Sequence, residues 1–153
     1  MEDPSSKAVV LRLEDQMCFP LYAASNLLNR LYRPILADLG LTYPQYLVML
    51  ALWQQAPKTV SALGEALLLD SGTLTPLLKR METAGLVTRE RDSRDERRVQ
   101  IDLTRKGDAL RDQAAHIPAL LAARTQVTQD KADEVRRIVR DLIAVLGRCE
   151  PGQ

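Results

Sequence analysis

The chain has little of the chemistry on which most enzymes and metal proteins depend. It contains one histidine, His116, and two cysteines, Cys18 and Cys149. No pair of these residues has the spacing of zinc ligands, and a lone histidine gives a Ser-His-Asp arrangement little to build on. The sequence therefore predicts no catalytic residues of these classes, no metal and no cofactor, and we assign His116 no role.

Long hydrophobic runs are also missing. No segment reaches the roughly 18 uninterrupted apolar residues of a membrane span. The polar stretch Met1–Lys7 lacks the basic start and the apolar run of a signal peptide. We therefore expect a cytoplasmic protein without a membrane partner, in which both cysteines start as thiols.

A large excess of positive charge, common among nucleic-acid-binding proteins, is absent as well. The formal net charge is +1, which gives weak support for such a function. The cations are unevenly placed, because seven of the arginines and lysines crowd the segment from Arg89 to Lys106, where acidic residues such as Glu90, Asp92, Asp95 and Glu96 interleave with them. The charge distribution therefore still allows a local nucleic-acid-binding surface in this segment.

What the chain does contain is helical periodicity, with a 46% hydrophobic share over 153 residues that is enough for one domain with a real core. Apolar residues recur at helical spacing through the first third, and Gly40 and Pro57 mark stops. The predicted helices there are Val9–Leu39, which Pro20 should kink or restart, Tyr43–Gln55 capped by Thr42, and Ala62–Leu68 capped by Thr59 or Ser61.

A fourth, polar-faced helix precedes a hairpin. Its cap is Asp70, Ser71 or Thr73, and Pro76 favours a start close to Thr73; Gly85 ends it. The rest of the chain alternates like paired strands and then returns to helical spacing. The predicted elements are strands Leu86–Arg91 and Arg98–Leu103 around the loop Asp92–Arg97, a long helix from Thr104 toward Val127 with a kink at Pro118, and Lys131–Leu146 capped by Thr128.

This order predicts a mainly α fold with a small β-hairpin, namely a winged helix-turn-helix with N- and C-terminal dimerisation helices. We expect one domain over residues 1–153, with a DNA-binding module at approximately 42–104 and dimerisation helices at 8–40 and 105–149. The apolar faces of the flanking helices have two interpretations, an intramolecular core or a homodimer interface, and we favour the interface because a compact winged helix does not need them.

The polar face of the fourth helix suits the major groove of double-stranded DNA. We expect Ser71, Thr73 and Thr75 to contact phosphates or bases, and Lys79 or Arg80 to contact phosphates. The alternative is that the hydroxyls only cap the helix and that the cations form a solvated face.

Several motifs together resemble the MarR family of bacterial transcription regulators, over nearly the whole chain. The wing segment Asp92–Arg98, followed by Leu103–Gly107, looks like the family signature. Four further motifs resemble its organic hydroperoxide resistance subfamily: Cys18–Phe19, Leu21–Ala23, Thr42–Tyr46 and Leu69–Pro76.

The resemblance implies a homodimeric repressor that senses organic hydroperoxides through a cysteine, which Cys18 matches. In the family, two tyrosines of the partner subunit donate hydrogen bonds to that cysteine, and Tyr32 and Tyr43 occupy the matching positions; Tyr22 matches a third family tyrosine. From the residues alone, Cys18 in an apolar helix is more often an inert thiol, and the tyrosines could equally be core edges.

The resemblance also assigns roles in the wing and raises a question about the second thiol. Arg97 fits the wing-tip arginine that enters the minor groove, with Asp95 orienting it by a salt bridge; the alternative is an exposed ion pair of little worth. Some members resolve the oxidised cysteine with a second cysteine in the helix after the wing, near the position of Ala123. Cys149 is far from that position, so we expect a low-molecular-weight thiol to act there and keep Cys149 as an alternative.

The hypothesis is thus a repressor that releases a pseudo-palindromic operator when a peroxide oxidises Cys18. Two alternatives stay open. One is a MarR-type repressor released by a small phenolic or carboxylate ligand, with Cys18 incidental. The other is a thiol peroxidase, which is disfavoured because that enzyme class needs alternating strands and helices and the only predicted strands form the hairpin.

Overall fold

The computed structural model describes residues 11–95 and 97–149. Among these residues it contains seven α-helices, three β-strands and two short 3₁₀ turns, at Leu13–Asp15 and Ala37–Leu39. The helices are α1 (Phe19–Leu36), α2 (Tyr43–Gln54), α3 (Val60–Leu67), α4 (Ser71–Thr83), α5 (Arg105–Ala114), α6 (Ile117–Thr125) and α7 (Gln129–Gly147); the strands are β1 (Lys58–Thr59), β2 (Val87–Arg91) and β3 (Val99–Leu103). The predicted fold class, mainly helical with a small β wing, is confirmed.

The helix boundaries follow local capping chemistry. Thr42 forms a capping box with Gln45 at the start of α2, and the hydroxyls of Thr59 and Thr128 accept backbone N–H groups at the starts of α3 and α7. α3 begins two residues before the predicted Ala62, because Thr59 and not Ser61 provides the cap. Gly40 ends the turn after α1 in the left-handed conformation, as its position predicted.

Of the kink and the restart that Pro20 predicted, the structure has the restart, whereas the kink predicted at Pro118 is wrong. Pro20 lies in the first turn of α1, and Pro118 lies in the first turn of α6. A proline there loses no intrahelical hydrogen bond and has the φ that a helix start needs. The predicted helix from Thr104 to Val127 is therefore two helices, α5 and α6. The predicted start of the first helix at Val9 lies outside the described residues.

α4 starts at Ser71 and not near Thr73, because Asp70 supplies the cap. Its C-terminal end is a Schellman motif: Leu86 N–H donates to Met81 O at 3.0 Å and Gly85 N–H donates to Glu82 O at 2.8 Å. Gly85 has φ +72°, a conformation that costs glycine little. The chain therefore reverses sharply from α4 into β2.

The wing, β2 and β3 with their connecting loop, belongs to a three-stranded antiparallel sheet of order β1-β3-β2. Val87 pairs with Leu103 and Arg91 with Val99, while Lys58 of β1 pairs with Ile101. Sequence patterning predicted the hairpin within one residue at each end and missed β1, since two residues are too short to show an alternation.

The chain forms two compact units, one running to Leu110 and the other beginning at Arg111. The core of the first unit is aliphatic and is formed by residues that are almost fully buried: Leu36, Met49, Leu52, Leu63, Leu74, Leu78, Met81 and Ile101. The second unit contains α6 and α7, and no residue of α7 is buried.

Within the described ranges, no single helix is long and apolar enough to cross a membrane. Residues Phe19–Leu39 and Tyr43–Gln54 would pass that test together, on length and composition, but they are bent by 65°.

Candidate functional site

α4 has one buried face and one polar face. Leu74, Leu77, Leu78 and Met81 are buried. Ser71, Thr73, Lys79 and Arg80 are exposed and Thr75 is half-buried. The helix therefore presents hydroxyls near its N-terminus and cations near its C-terminal half.

The cap of α4 limits what its hydroxyls can do. Asp70 accepts the Thr73 backbone N–H at 2.8 Å and the Thr73 hydroxyl at 3.0 Å. These two bonds from Thr73 hold the pKa of the Asp70 carboxyl below its ordinary value. Because the Thr73 hydroxyl hydrogen is already donated to Asp70, that hydroxyl can offer a ligand only its lone pairs.

Hydrogen bonds to aspartate carboxylates hold the wing tip in place. Asp92 accepts the Arg94 N–H at 2.9 Å and the Gln100 amide at 3.3 Å, and these bonds lower the pKa of Asp92. The predicted Asp95–Arg97 salt bridge is wrong: Asp95 Oδ1 accepts the backbone N–H of Arg97 at 3.1 Å. Asp95 therefore shapes the turn, and the Arg97 side chain is exposed. Glu96 lies outside the described residues.

A cationic recess of about 220 Å³ lies between α4, the start of α3 and the wing. Three arginines and three hydroxyl side chains line it, together with two valines. The lining residues are Thr59, Val60, Ser61, Thr75, Arg89, Arg97, Arg98 and Val99. This arrangement of guanidinium and hydroxyl donors can hold an oxyanion such as a phosphate group.

The sequence analysis named Thr75 and Arg97 as separate DNA contacts; the structure brings both into this recess and adds Arg89 and Arg98, which the sequence analysis missed as site residues. Arg89 NH1 lies 3.5 Å from Glu82 Oε2 of α4, and the buried Nε of Arg89 has no hydrogen-bond partner among the described residues. The signal that could have singled it out is the alternation of β2, because Arg89 is two residues from the buried Val87 and so lies on the same, inward face.

The predicted thiol donors form an aromatic cluster. Tyr32 of α1 stacks on Tyr43 of α2 with 4.2 Å between ring centroids, and Tyr46 lies 6.0 Å from Tyr32. Burial, followed by the proximity of Tyr43 and Tyr46, raises the pKa of Tyr32 to about 12. Burial also raises the pKa of Tyr43. The hydroxyls are therefore protonated at neutral pH and can donate hydrogen bonds.

Cys18 is exposed and lies directly before α1. The Cys18 carbonyl accepts the Tyr22 N–H at 3.2 Å, so Tyr22 follows one helical turn later; Tyr22 is 67% exposed. Among the described residues of the one chain, no hydrogen bond joins Cys18 to Tyr32 or Tyr43. The structure thus brings the two tyrosines together without the thiol.

Cys149 is also exposed and follows α7, where its N–H donates to Leu146 O at 2.9 Å. Its position does not assign it a role.

Two apolar surfaces are uncovered. On α1, Leu27 is 59% exposed and Leu28 is also exposed; on α7, Ile138 is 53% exposed, with Val135, Val145 and Leu146 on the same helix also exposed. Several large apolar side chains exposed on one helix are typical of an interaction surface.

Comparison with known proteins agrees with this architecture. A family model described as transcriptional regulator SarA/Rot matches residues 30–113. The chain is 43% identical to the organic hydroperoxide resistance transcriptional regulator of Bacillus subtilis (strain 168), over 89% of this chain and 92% of that protein.

Solved structures of AbfR, from Staphylococcus epidermidis, are similar to the chain. Reduced AbfR bound to DNA has a TM-score of 0.76 and 36% identity, covering 90% of this chain and 94% of that one. Overoxidised AbfR bound to DNA has a TM-score of 0.70 and 37% identity, covering 88% of this chain and 95% of that one.

Proposed function

Because the chain belongs to the MarR family of winged-helix transcription regulators and, within it, to the organic hydroperoxide resistance regulators, we propose that it is a homodimeric repressor that leaves its operator when an organic hydroperoxide oxidises Cys18. The observation that supports the sensing step best is the stacked pair Tyr32 and Tyr43: both residues are half-buried, their rings are in contact, and burial raises the pKa of both hydroxyls, so they keep their protons. Since its partner is DNA, we place the protein in the cytoplasm.

In this proposal α4 enters the major groove of double-stranded DNA. Ser71, Thr75 and the lone pairs of Thr73 face base edges and phosphates, while Lys79 and Arg80 neutralise phosphates. Arg97 extends from the wing into the minor groove. The recess that contains Arg89 and Arg98 lies between these two contacts and would hold a backbone phosphate.

The exposed apolar surfaces of α1 and α7 support a homodimer. A second copy of the chain could cover them in a self-complementary interface, as twofold symmetry requires. The same symmetry would place two copies of α4 about one helical turn of DNA apart and so select a pseudo-palindromic operator. The dimer would also supply hydrogen-bond donors to the Cys18 thiolate, because these would come from Tyr32 and Tyr43 of the partner subunit.

The proposed sensing chemistry has two balanced steps. The Cys18 thiolate attacks the terminal peroxide oxygen, the O–O bond breaks, and the departing alkoxide takes a proton to leave as an alcohol, so the sulfur becomes a sulfenic acid. A second thiol, from a low-molecular-weight compound or from Cys149, then displaces water from the sulfenic acid and forms a disulfide. The added group disturbs the tyrosine contacts, and the DNA-binding surfaces shift.

The relatives are transcriptional regulators, and we propose that the thiol reacts once per release event and does not turn over as in an enzyme. Overoxidised AbfR was crystallised bound to DNA. This suggests that addition of oxygen to a thiol is not by itself sufficient for release, and it favours the mixed disulfide as the releasing form.

The test is a titration of operator DNA, selected from a random pool by the reduced protein, measured by fluorescence anisotropy. We expect one equivalent of cumene hydroperoxide with a small thiol to weaken binding by wild type and by Cys149→Ser, but not by Cys18→Ser. Release of the Cys18→Ser variant by a phenolic or carboxylate compound, with no effect of peroxide on wild type, would favour the ligand-released alternative. Peroxide consumption over many turnovers with a reductant would indicate a peroxidase.

A further inference from the structure

The C-terminal end of α4 is held by the first turn of α5. Lys106 Nζ donates to Ala84 O at 2.8 Å, the Thr104 hydroxyl donates to Gly85 O at 2.6 Å, and Thr104 N–H donates to Leu86 O at 3.1 Å. Helix C-terminal carbonyls need such external donors because they have no partner within the helix. The orientation of the C-terminal end of α4 therefore depends on the position at which α5 begins.

Gly107 fixes that position. Its N–H donates to the Thr104 hydroxyl at 3.0 Å, and a Cβ at this residue would overlap the backbone carbonyl oxygen of Leu86. The backbone of α5 thus touches the residue that precedes β2. The indole N–H of Trp53, at the end of α2, donates to Gly107 O at 3.1 Å in a buried bond. The position of the first turn of α5, between α2, α4 and β2, therefore depends on Gly107 and on the indole of Trp53.

Trp53 also touches the tyrosine cluster. It lies two turns after Tyr46 on α2, and their rings meet edge to face with centroids 6.3 Å apart. Tyr46 lies 6.0 Å from Tyr32, which stacks on Tyr43. The rings form one packed row, and close-packed side chains move as discrete units because the interior has little free volume.

We propose that Trp53 is a positioning residue for operator binding, one that ties the tyrosine cluster to the C-terminal end of α4 through Gly107. In the reduced protein the row of rings keeps the indole N–H on Gly107 O, which holds α5 against α4. When an added group on Cys18 displaces Tyr32 or Tyr43, Trp53 follows and the bond to Gly107 weakens. This second part rests on the proposed peroxide sensing, whereas the positioning role in the reduced protein does not.

The composition of the chain allows a sharp test, because Trp53 is its single tryptophan. Biosynthetic replacement of tryptophan by benzothienylalanine changes the indole N–H of residue 53 to sulfur and leaves the ring shape almost unchanged. The matched control is replacement by 5-fluorotryptophan, which keeps the N–H and adds one fluorine signal for NMR. Thermal unfolding at equal protein concentration checks that both proteins fold.

We expect the benzothienyl protein to bind operator about fivefold more weakly than the fluorotryptophan protein when both are reduced, which is the loss typical of one buried hydrogen bond. After peroxide and thiol treatment the two affinities should agree, so the ratio of oxidised to reduced Kd shrinks by the same factor. The fluorine signal should shift on oxidation of Cys18. Equal reduced affinities would overturn the positioning role, and equal losses in both redox states would overturn the link to the tyrosines. If peroxide left the control protein bound to DNA, the proposed sensing would fail, and the reduced-state comparison would still decide the role of Trp53.

Discussion

Gly107→Ala should destabilise the fold, because the new methyl group meets backbone and not a flexible side chain. A Cβ at Gly107 would overlap the Leu86 carbonyl oxygen and would lie 3.0 Å from its carbonyl carbon and 3.4 Å from Met49 Cε. Carbon and carbonyl oxygen need about 3.3 Å between them, so α5 must move away from the start of β2. That displacement stretches the bonds of Gly107 to Trp53 and to Thr104.

The magnitude follows from three contributions. Overpacking against a rigid neighbour costs about 1–3 kcal/mol, and weakening two hydrogen bonds costs about 1 kcal/mol each. Replacing glycine by alanine within a helix stabilises the helix by about 1 kcal/mol, which offsets part of this cost. We therefore expect the free energy of unfolding to fall by about 2–4 kcal/mol.

Two other helical glycines make matched controls. At Gly147 no atom of the described residues lies within 4 Å of the added Cβ, and at Gly64 the added Cβ would lie 2.9 Å from the Leu69 carbonyl oxygen. Gly147→Ala should be neutral or slightly stabilising, and Gly64→Ala should fall between it and Gly107→Ala. Urea unfolding at one protein concentration, followed by Trp53 fluorescence and by circular dichroism, gives all three values. A Gly107→Ala protein as stable as Gly147→Ala would refute the close approach of α5 to β2.

Four further substitutions, with Arg94→Ala as a control, test the site and the second cysteine. Arg97→Ala should weaken operator binding by roughly 1–3 kcal/mol while Arg94→Ala, at the same exposed loop, has a smaller effect; equal affinities of both variants with wild type at physiological salt would remove Arg97 from the site. Tyr32→Phe and Tyr43→Phe should each slow peroxide oxidation of the sensing thiol by roughly threefold to tenfold, measured by mass spectrometry, and wild-type rates in both would show that the donor pair is wrong. Because the pKa of Tyr32 is raised from 10.0 to about 12, the folded state keeps a proton that the unfolded state loses, so stability should decline between pH 10 and 12, and Tyr32→Phe should reduce that decline. Cys149→Ser should still release operator DNA when peroxide and a small thiol are added. If wild type forms a disulfide-linked dimer and this variant loses both that dimer and the release of DNA, Cys149 is the resolving cysteine.

The parts of the fold that follow local rules could be predicted from the sequence. Thr42 and Thr128 cap their helices through bonds to residues three positions away, and Gly85 ends α4 within its own turn. Such interactions depend on a few adjacent residues, so spacing alone identifies them. The prolines show the limit of this approach: Pro20 and Pro118 suit both a kink and a helix start, and apolar periodicity continues across a break of two residues such as Ala115 and His116.

The parts that depend on distant contacts were not predictable. The bond from Trp53 to Gly107 and the pairing of Lys58 with Ile101 join segments more than 40 residues apart in the printed sequence. Arg89 acquires its place in the recess only when α3, α4 and the wing meet. The predicted Asp95–Arg97 salt bridge is absent for a related reason, since Asp95 accepts the backbone N–H of Arg97 instead. A short carboxylate side chain commonly hydrogen-bonds a backbone N–H of its own turn, and an ion pair with a flexible, exposed arginine adds little to that bond.

The arrangement of thiol and tyrosines bears on how such a regulator would work. Among the described residues, the exposed Cys18 has no hydrogen bond to Tyr32 or Tyr43 of its own chain, and such donors help to make a thiol reactive. The tyrosines have the opposite character: they are half-buried and keep their protons, so they can donate to an anion only if one is brought to them. The thiol and the tyrosines complement each other chemically, and the exposed leucines Leu27 and Leu28 lie on α1, the helix that begins directly after Cys18. A dimer that covers this surface would assemble the reactive thiol at the same time as it pairs the two copies of α4. Sensing and operator recognition would then require the same assembly, and a monomer would be both slow to oxidise and weak on DNA.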